Sequence, residues 1–113
     1  MDEKLIEQDN ADYKGEFYLL GEQEGGQDGA LKNGIRPQHQ INGNCHTSGL
    51  MRFIDKDIIW PGEKVLVYTT LISPEAYEGS LKVGNIINIY AGANKIGEVT
   101  LIEIYNPSLG KTC

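Results

Sequence analysis

Cysteine is scarce in this chain. Cys45 and Cys113 are the only two, and Cys113 is the last of 113 residues. Two thiols cannot build a disulfide scaffold. Long apolar runs are missing as well, so no segment approaches the length of a membrane-spanning helix. The opening MDEKLIEQDN is acidic and has no apolar stretch of the kind that marks a secretory signal. These absences lead to the expectation of a cytoplasmic protein. No window keeps an apolar period of 3.6 residues over helical length, which argues against packed amphipathic helices.

Excess basic charge is also missing. The net charge is −6, and it is uneven. Residues 1–28 hold nine acids against Lys4 and Lys14, whereas residues 29–113 hold seven acids against eight bases. Neutralising phosphates with Lys and Arg supplies most non-specific nucleic-acid affinity, so this balance argues against strong RNA or DNA binding. What the chain does have is 14 glycines, ordinary apolar content at 40%, and many β-branched residues. Its length suits one domain with one core.

The expected organisation is an acidic arm over residues 1–12, a body over residues 13–106 and a tail over residues 107–113. Six segments of the body read as strands: EFYLLG (16–21), IRPQHQI (35–41), HTSGLMRFI (46–54), KVLVYTTLI (64–72), NIINIY (85–90) and KIGEVTLIEI (95–104). The fourth is rich in β-branched residues and apolar on both faces. Pro37 gives the second an edge or bulge character, because proline cannot donate to a ladder. Six short strands with irregular loops predict an all-β fold, a six-stranded antiparallel β-barrel. In the connection DKDIIWPGEK, Trp60 is expected to be at least half buried with Ile58 or Ile59, so that Trp60→Ala would cost roughly 3 kcal/mol.

Motifs for chemistry are few. SLGKT (108–112) has the ending of a phosphate loop, but Tyr105 stands where its first glycine belongs. ANKIGE lacks the aspartate of a guanine-reading motif. His39, Cys45 and His46 are the only clustered soft ligands, and three such residues fall short of a zinc set. Cys45 and His46 are neighbours on a strand and so point to opposite faces, which counts against a nucleophile and base. Asp55 and Asp57 read as solvated loop residues. The sequence therefore predicts no enzyme, no cofactor and no metal.

QEGGQDGALKNGIRPQHQI (23–41) places an acidic glycine-rich loop directly before Arg36-Pro37-Gln38. An anion-cradling loop normally opens a helix, and these residues do not. Taken with EFYLL, WPGEKV, TLISP and AGANKIGEV, the stretch resembles the C-terminal β-barrel, the third domain, of translation elongation factor Tu. That family has E-E-G-G, G-Y-R-P-Q-F, a P-G-D turn, T-L-I-H-P and R-E-G-G-R-T-V-G-A-G in the same order and at similar spacing. Gly25, Gly26, Arg36, Pro37, Gln38, Pro61, Gly62, Gly92 and Gly97 match it.

The resemblance implies a Greek-key-like barrel with a long loop between its first two strands, the loop and arginine lying on the surface that meets the T arm of aminoacyl-tRNA. It implies binding residues at Gly25, Gly26, Gln27, Arg36, Gln38 and Gly92. The departures are specific: Gln27 and Asp28 replace an arginine and a histidine, Tyr90 and Asn94 replace two arginines, and Ser73 replaces a histidine. Nothing here matches the family's GTPase domain or middle barrel, so no GTP binding or hydrolysis is expected. The implied function is a non-enzymatic protein-interaction module connected to translation, with a partner that also recognises the factor as one candidate. The alternative is a weak aminoacyl-tRNA (T-arm) binding module.

Overall fold

A computed structural model of the chain describes residues 11–21, 29–40, 46–73, 77, 79 and 81–109, leaving aside the side chain of His46. The strands are β1 (Tyr13–Leu19), β2 (Leu31–Lys32), β3 (Gln38–Gln40), β4 (His46–Phe53), β5 (Ile58–Ile59), β6 (Lys64–Leu71), β7 (Ile86–Ala91) and β8 (Asn94–Ile104). Six of them close into an antiparallel barrel in the order β1-β6-β4-β3-β7-β8, and β2 pairs with β5 in a separate small sheet. The six barrel strands correspond to the six sequence segments, with ends moved by a few residues. A short 3-10 turn lies at Pro107–Leu109.

The topology is a Greek key: β3, β4 and β6 run as a meander, and β1 lies beside β6. In this ring β1 and β3 stand on opposite sides. A simple hairpin therefore cannot join them.

Alternation decides which side chains fill the interior. Along β1 the inward positions are Tyr13, Gly15, Phe17 and Leu19, and along β6 they are Val65, Val67, Thr69 and Leu71. The ladder sets Tyr13 opposite Thr69, Gly15 opposite Val67 and Phe17 opposite Val65, so apolar positions meet on one face. Ile87 and Ile89 of β7, and Ile96, Val99 and Leu101 of β8, complete the wall with Met51 and Phe53 of β4. A slip of one residue would turn each set outward, so burial itself selects the register.

The barrel extends beyond the expected boundaries at both ends. Ala11 and Asp12, expected in the arm, are buried. Asp12 Oδ2 accepts the Leu71 N–H at 2.7 Å and Oδ1 accepts from Asn106 Nδ2 at 2.9 Å. Its backbone N–H donates to Thr69 O, and its carbonyl accepts from the N–H groups of Tyr105 and Asn106. One residue thus ties the start of β1 to the end of β6 and to the chain leaving β8. Leu109, expected in the tail, is fully buried.

The expectation for Trp60 is overturned: its side chain is 58% exposed, and Ile58 is 43% exposed. The fully buried residue is Ile59 between them. Strand alternation allows only one of three successive residues inside when the middle one faces in. Trp60 is held by its backbone at the Pro61-Gly62 turn, its carbonyl accepting from Glu63 N–H and its own N–H donating to Glu63 Oε1 at 2.7 Å.

Two outcomes follow from this architecture. Trp60 should fluoresce near the wavelength of a hydrated indole, and Trp60→Ala should cost no more than about 1 kcal/mol in urea denaturation; a blue-shifted emission would contradict the exposed position. Asp12→Ala should cost roughly 3 kcal/mol, because it removes two charge-assisted bonds and orphans the buried Leu71 N–H. Asp12→Asn should recover part of that loss. An Asp12→Ala protein as stable as the parent would show that the clasp is dispensable.

Candidate functional site

Among the described residues, the ladder between β3 and β7 sets Gln38 opposite Tyr90 and His39 opposite Ile89, and on the side towards Arg36 it ends at Gln38. On the other side, the chain before β3 stays attached to β4: Met51 N–H donates to Ile35 O at 2.9 Å and Gly49 N–H donates to Pro37 O at 3.1 Å. Ile35 and Pro37 thus turn their carbonyls to β4, and strand alternation turns the N–H and C=O of Arg36 between them the other way, towards the β7 side. Among the described residues, no backbone bond reaches the N–H or C=O of Arg36.

Where β3 and β7 part, an open cleft of about 330 Å³ remains. Leu31, Ile35, Pro37 and Ile96 supply apolar wall. Gln38, Ser48 and Tyr90 supply polar groups, and Arg36 is the only charged side chain in the lining. Arg36 and Gln38 are exposed, whereas Pro37 and Ile96 are buried. Gly92 stands on the rim in the β7–β8 hairpin with φ of 62°, a left-handed conformation that glycine adopts without strain.

Three of the residues that the resemblance points to therefore meet in one place: Arg36, Gln38 and Gly92 all line this cleft. Gly25, Gly26 and Gln27 lie outside the described residues. Tyr90, standing where the family has an arginine, also lines it. Sequence reasoning missed the apolar part of the lining, Leu31, Ile35 and Ile96. Leu31 arrives through β2, whose pairing with β5 sets Leu31 opposite Ile59. No local pattern signals a strand of two residues.

His39 is a core residue. It is fully buried, Tyr13 Oη lies 2.7 Å from its Nε2, and its Nδ1 lies 3.4 Å from Pro37 O. A carbonyl can only accept, so Nδ1 carries the proton and Nε2 accepts from the tyrosine hydroxyl. The neutral imidazole is built into the barrel, and burial lowers its pKa from 6.5 to about 4. Burial also pushes the Tyr13 hydroxyl well above its ordinary value. Gly49 makes room for the ring: a Cβ there would lie 2.7 Å from His39 Cε1. Cys45 and the His46 side chain lie outside the described residues. Asp55 and Asp57 are exposed.

A second groove, of about 390 Å³, lies on the outer face of β6, β1 and β8 and is lined by Glu16, Tyr18, Lys64, Glu98 and Thr100. Its charges are matched locally, Lys64 with Glu16 at 3.7 Å and Glu98 with Lys95 at 2.8 Å. No helix among the described residues is long and apolar enough to cross a membrane. No protein-family model matches the chain.

The buried imidazole predicts an acid-sensitive barrel. In the unfolded chain His39 takes its proton near pH 6.5, but in the folded chain only near pH 4. Between those values the unfolded state binds more protons, so stability falls as the pH falls. The loss from this one group should reach roughly 3 kcal/mol by pH 4. Urea midpoints from pH 7 to pH 4 check this against His39→Gln, which keeps polar groups but does not titrate. Equal slopes in the two proteins would remove His39 as the source.

Proposed function

We propose that this chain is a non-enzymatic binding module of the elongation factor Tu third-domain type, and that it engages a protein partner connected to translation, in the cytoplasm. The observation that carries the reading is the meeting of Arg36, Gln38 and Gly92 on one open cleft. They come from two blocks far apart in the chain, Arg36-Pro37-Gln38 and the hairpin at Gly92, and each block resembles one of the family's. The interior offers a weaker place for a ligand, because Tyr13, Phe17, Met51, Ile89 and Leu101 fill it with almost no exposed area. The one described histidine side chain is engaged by Tyr13 inside the barrel, which leaves it unsuited to serve as a base at the surface.

The character of the cleft favours protein over tRNA. A phosphate-binding surface draws its affinity from several cations, each adding about one unit to the salt dependence. Here a single arginine stands among mostly apolar and neutral residues. Apolar pockets with an arginine and a tyrosine at the edge have the composition that concentrates binding energy between proteins. The second reading, weak T-arm binding, draws on the exposure of Arg36 and Gln38.

Filter binding with aminoacyl-tRNA separates the two. The expected result near physiological salt is affinity weaker than micromolar, with a salt slope of about one that vanishes in Arg36→Ala. A partner captured from cytosol should survive moderate salt and should not be displaced by tRNA. Submicromolar tRNA affinity that is lost in Arg36→Ala would overturn the protein-binding reading.

A further inference from the structure

We propose that the cleft between β3 and β7 receives an extended segment of the partner protein, one that alternates aliphatic side chains with a carboxylate. The inference rests on the protein-binding reading above and names the chemistry of its partner. Two independent features of the cleft point to it.

The first is charge. Arg36 is the only charged residue lining the cleft, and no described carboxylate pairs with it. The outer groove differs in this respect, since Lys64 already faces Glu16 and Glu98 already pairs with the nearby Lys95. A planar guanidinium at the rim of an apolar cleft suits a carboxylate, which it can bind with two parallel hydrogen bonds. A basic segment would meet only repulsion there, and an uncharged one would leave the guanidinium without a gain.

The second is the backbone. Because Ile35 and Pro37 bond to β4, the N–H and C=O of Arg36 face the side where the β3–β7 ladder has ended. Those groups form a short open strand edge at the mouth of the cleft. An extended peptide can bond to such an edge, and its alternate side chains then point to opposite sides. One set would rest on Leu31, Ile35, Pro37 and Ile96. The other would face outward, the direction in which the exposed Arg36 and Gln38 lie. A segment of the form aliphatic–acidic–aliphatic meets both requirements in a single register.

The test uses the full chain, labelled with nitrogen-15, and three blocked pentapeptides: acetyl-Thr-Val-Glu-Val-Thr-amide and the same peptide with Gln or Lys at its centre. Titration with the glutamate peptide should move the amide resonances of Arg36, Gln38, Tyr90, Ala91 and Gly92. Its affinity should exceed that of the glutamine peptide by about tenfold, the gain of a charge-assisted pair. Arg36→Gln, at an exposed position that leaves the barrel intact, should bring the two peptides within about twofold of each other. Ala91→Trp, which fills the cleft from its rim, should abolish the shifts for both.

Equal affinities for the Glu, Gln and Lys peptides would overturn the proposal. So would shifts elsewhere on the barrel, or no shifts at millimolar peptide. If a captured partner stays bound to both Arg36→Gln and Ala91→Trp, protein binding stands and this cleft is not its site. If tRNA moves the same resonances at far lower concentration, the protein-binding reading itself falls.

Discussion

Closure of the barrel through β1 is the constraint on which the rest of the structure depends. β1 is bonded to β6 on one edge and to β8 on the other along nearly its whole length. Asp12 secures that closure at one end by holding Leu71 N–H and Asn106 Nδ2 with its two carboxylate oxygens. A carboxylate this buried is stabilised only where donors surround it, and here the donors come from the last strand's exit and from β6. The acidic residue that looks like part of a solvated arm is therefore what joins the beginning of the barrel to its end.

Opposite β1, the ladder from β3 to β7 stops at Gln38 on the side towards Arg36. Inside, the His39 imidazole spans to Tyr13 on β1, across the interior, and Gly49 leaves space for it. That internal hydrogen bond ties β3 to the far wall. Outside, the end of the ladder at Gln38 leaves the cleft. The cleft and the acid-sensitive histidine thus belong to the same strand, one on its outer side and the other within the barrel.

Proline contributes to both effects. Pro37 has no N–H to offer, and its carbonyl is used by Gly49 and faced by His39. Arg36 before it is drawn towards extended backbone, since a residue preceding proline avoids the helical region. The pair Arg36-Pro37 therefore presents a strand edge that is closed towards β4 and open at Arg36 towards β7.

All six barrel strands were legible in the sequence, because period-two burial is a local property and the segments around Val65, Val67, Ile87, Ile89 and Val99 carry it openly. The resemblance added an expected Greek-key order, and it singled out Arg36, Gln38 and Gly92 as residues of interest. Several other features were decided by tertiary structure. Trp60 faces solvent because Ile59 takes the inward place, and an equally apolar run of Ile58, Ile59 and Trp60 does not say which member turns in. Asp12 is buried because donors distant in sequence converge on it. β2 and β5 pair over two residues each, too few for any pattern. The cleft itself comes from where one ladder stops, a matter of pairing between segments far apart in the chain. Local alternation can be read residue by residue, whereas the ending of a ladder depends on what both strands meet elsewhere.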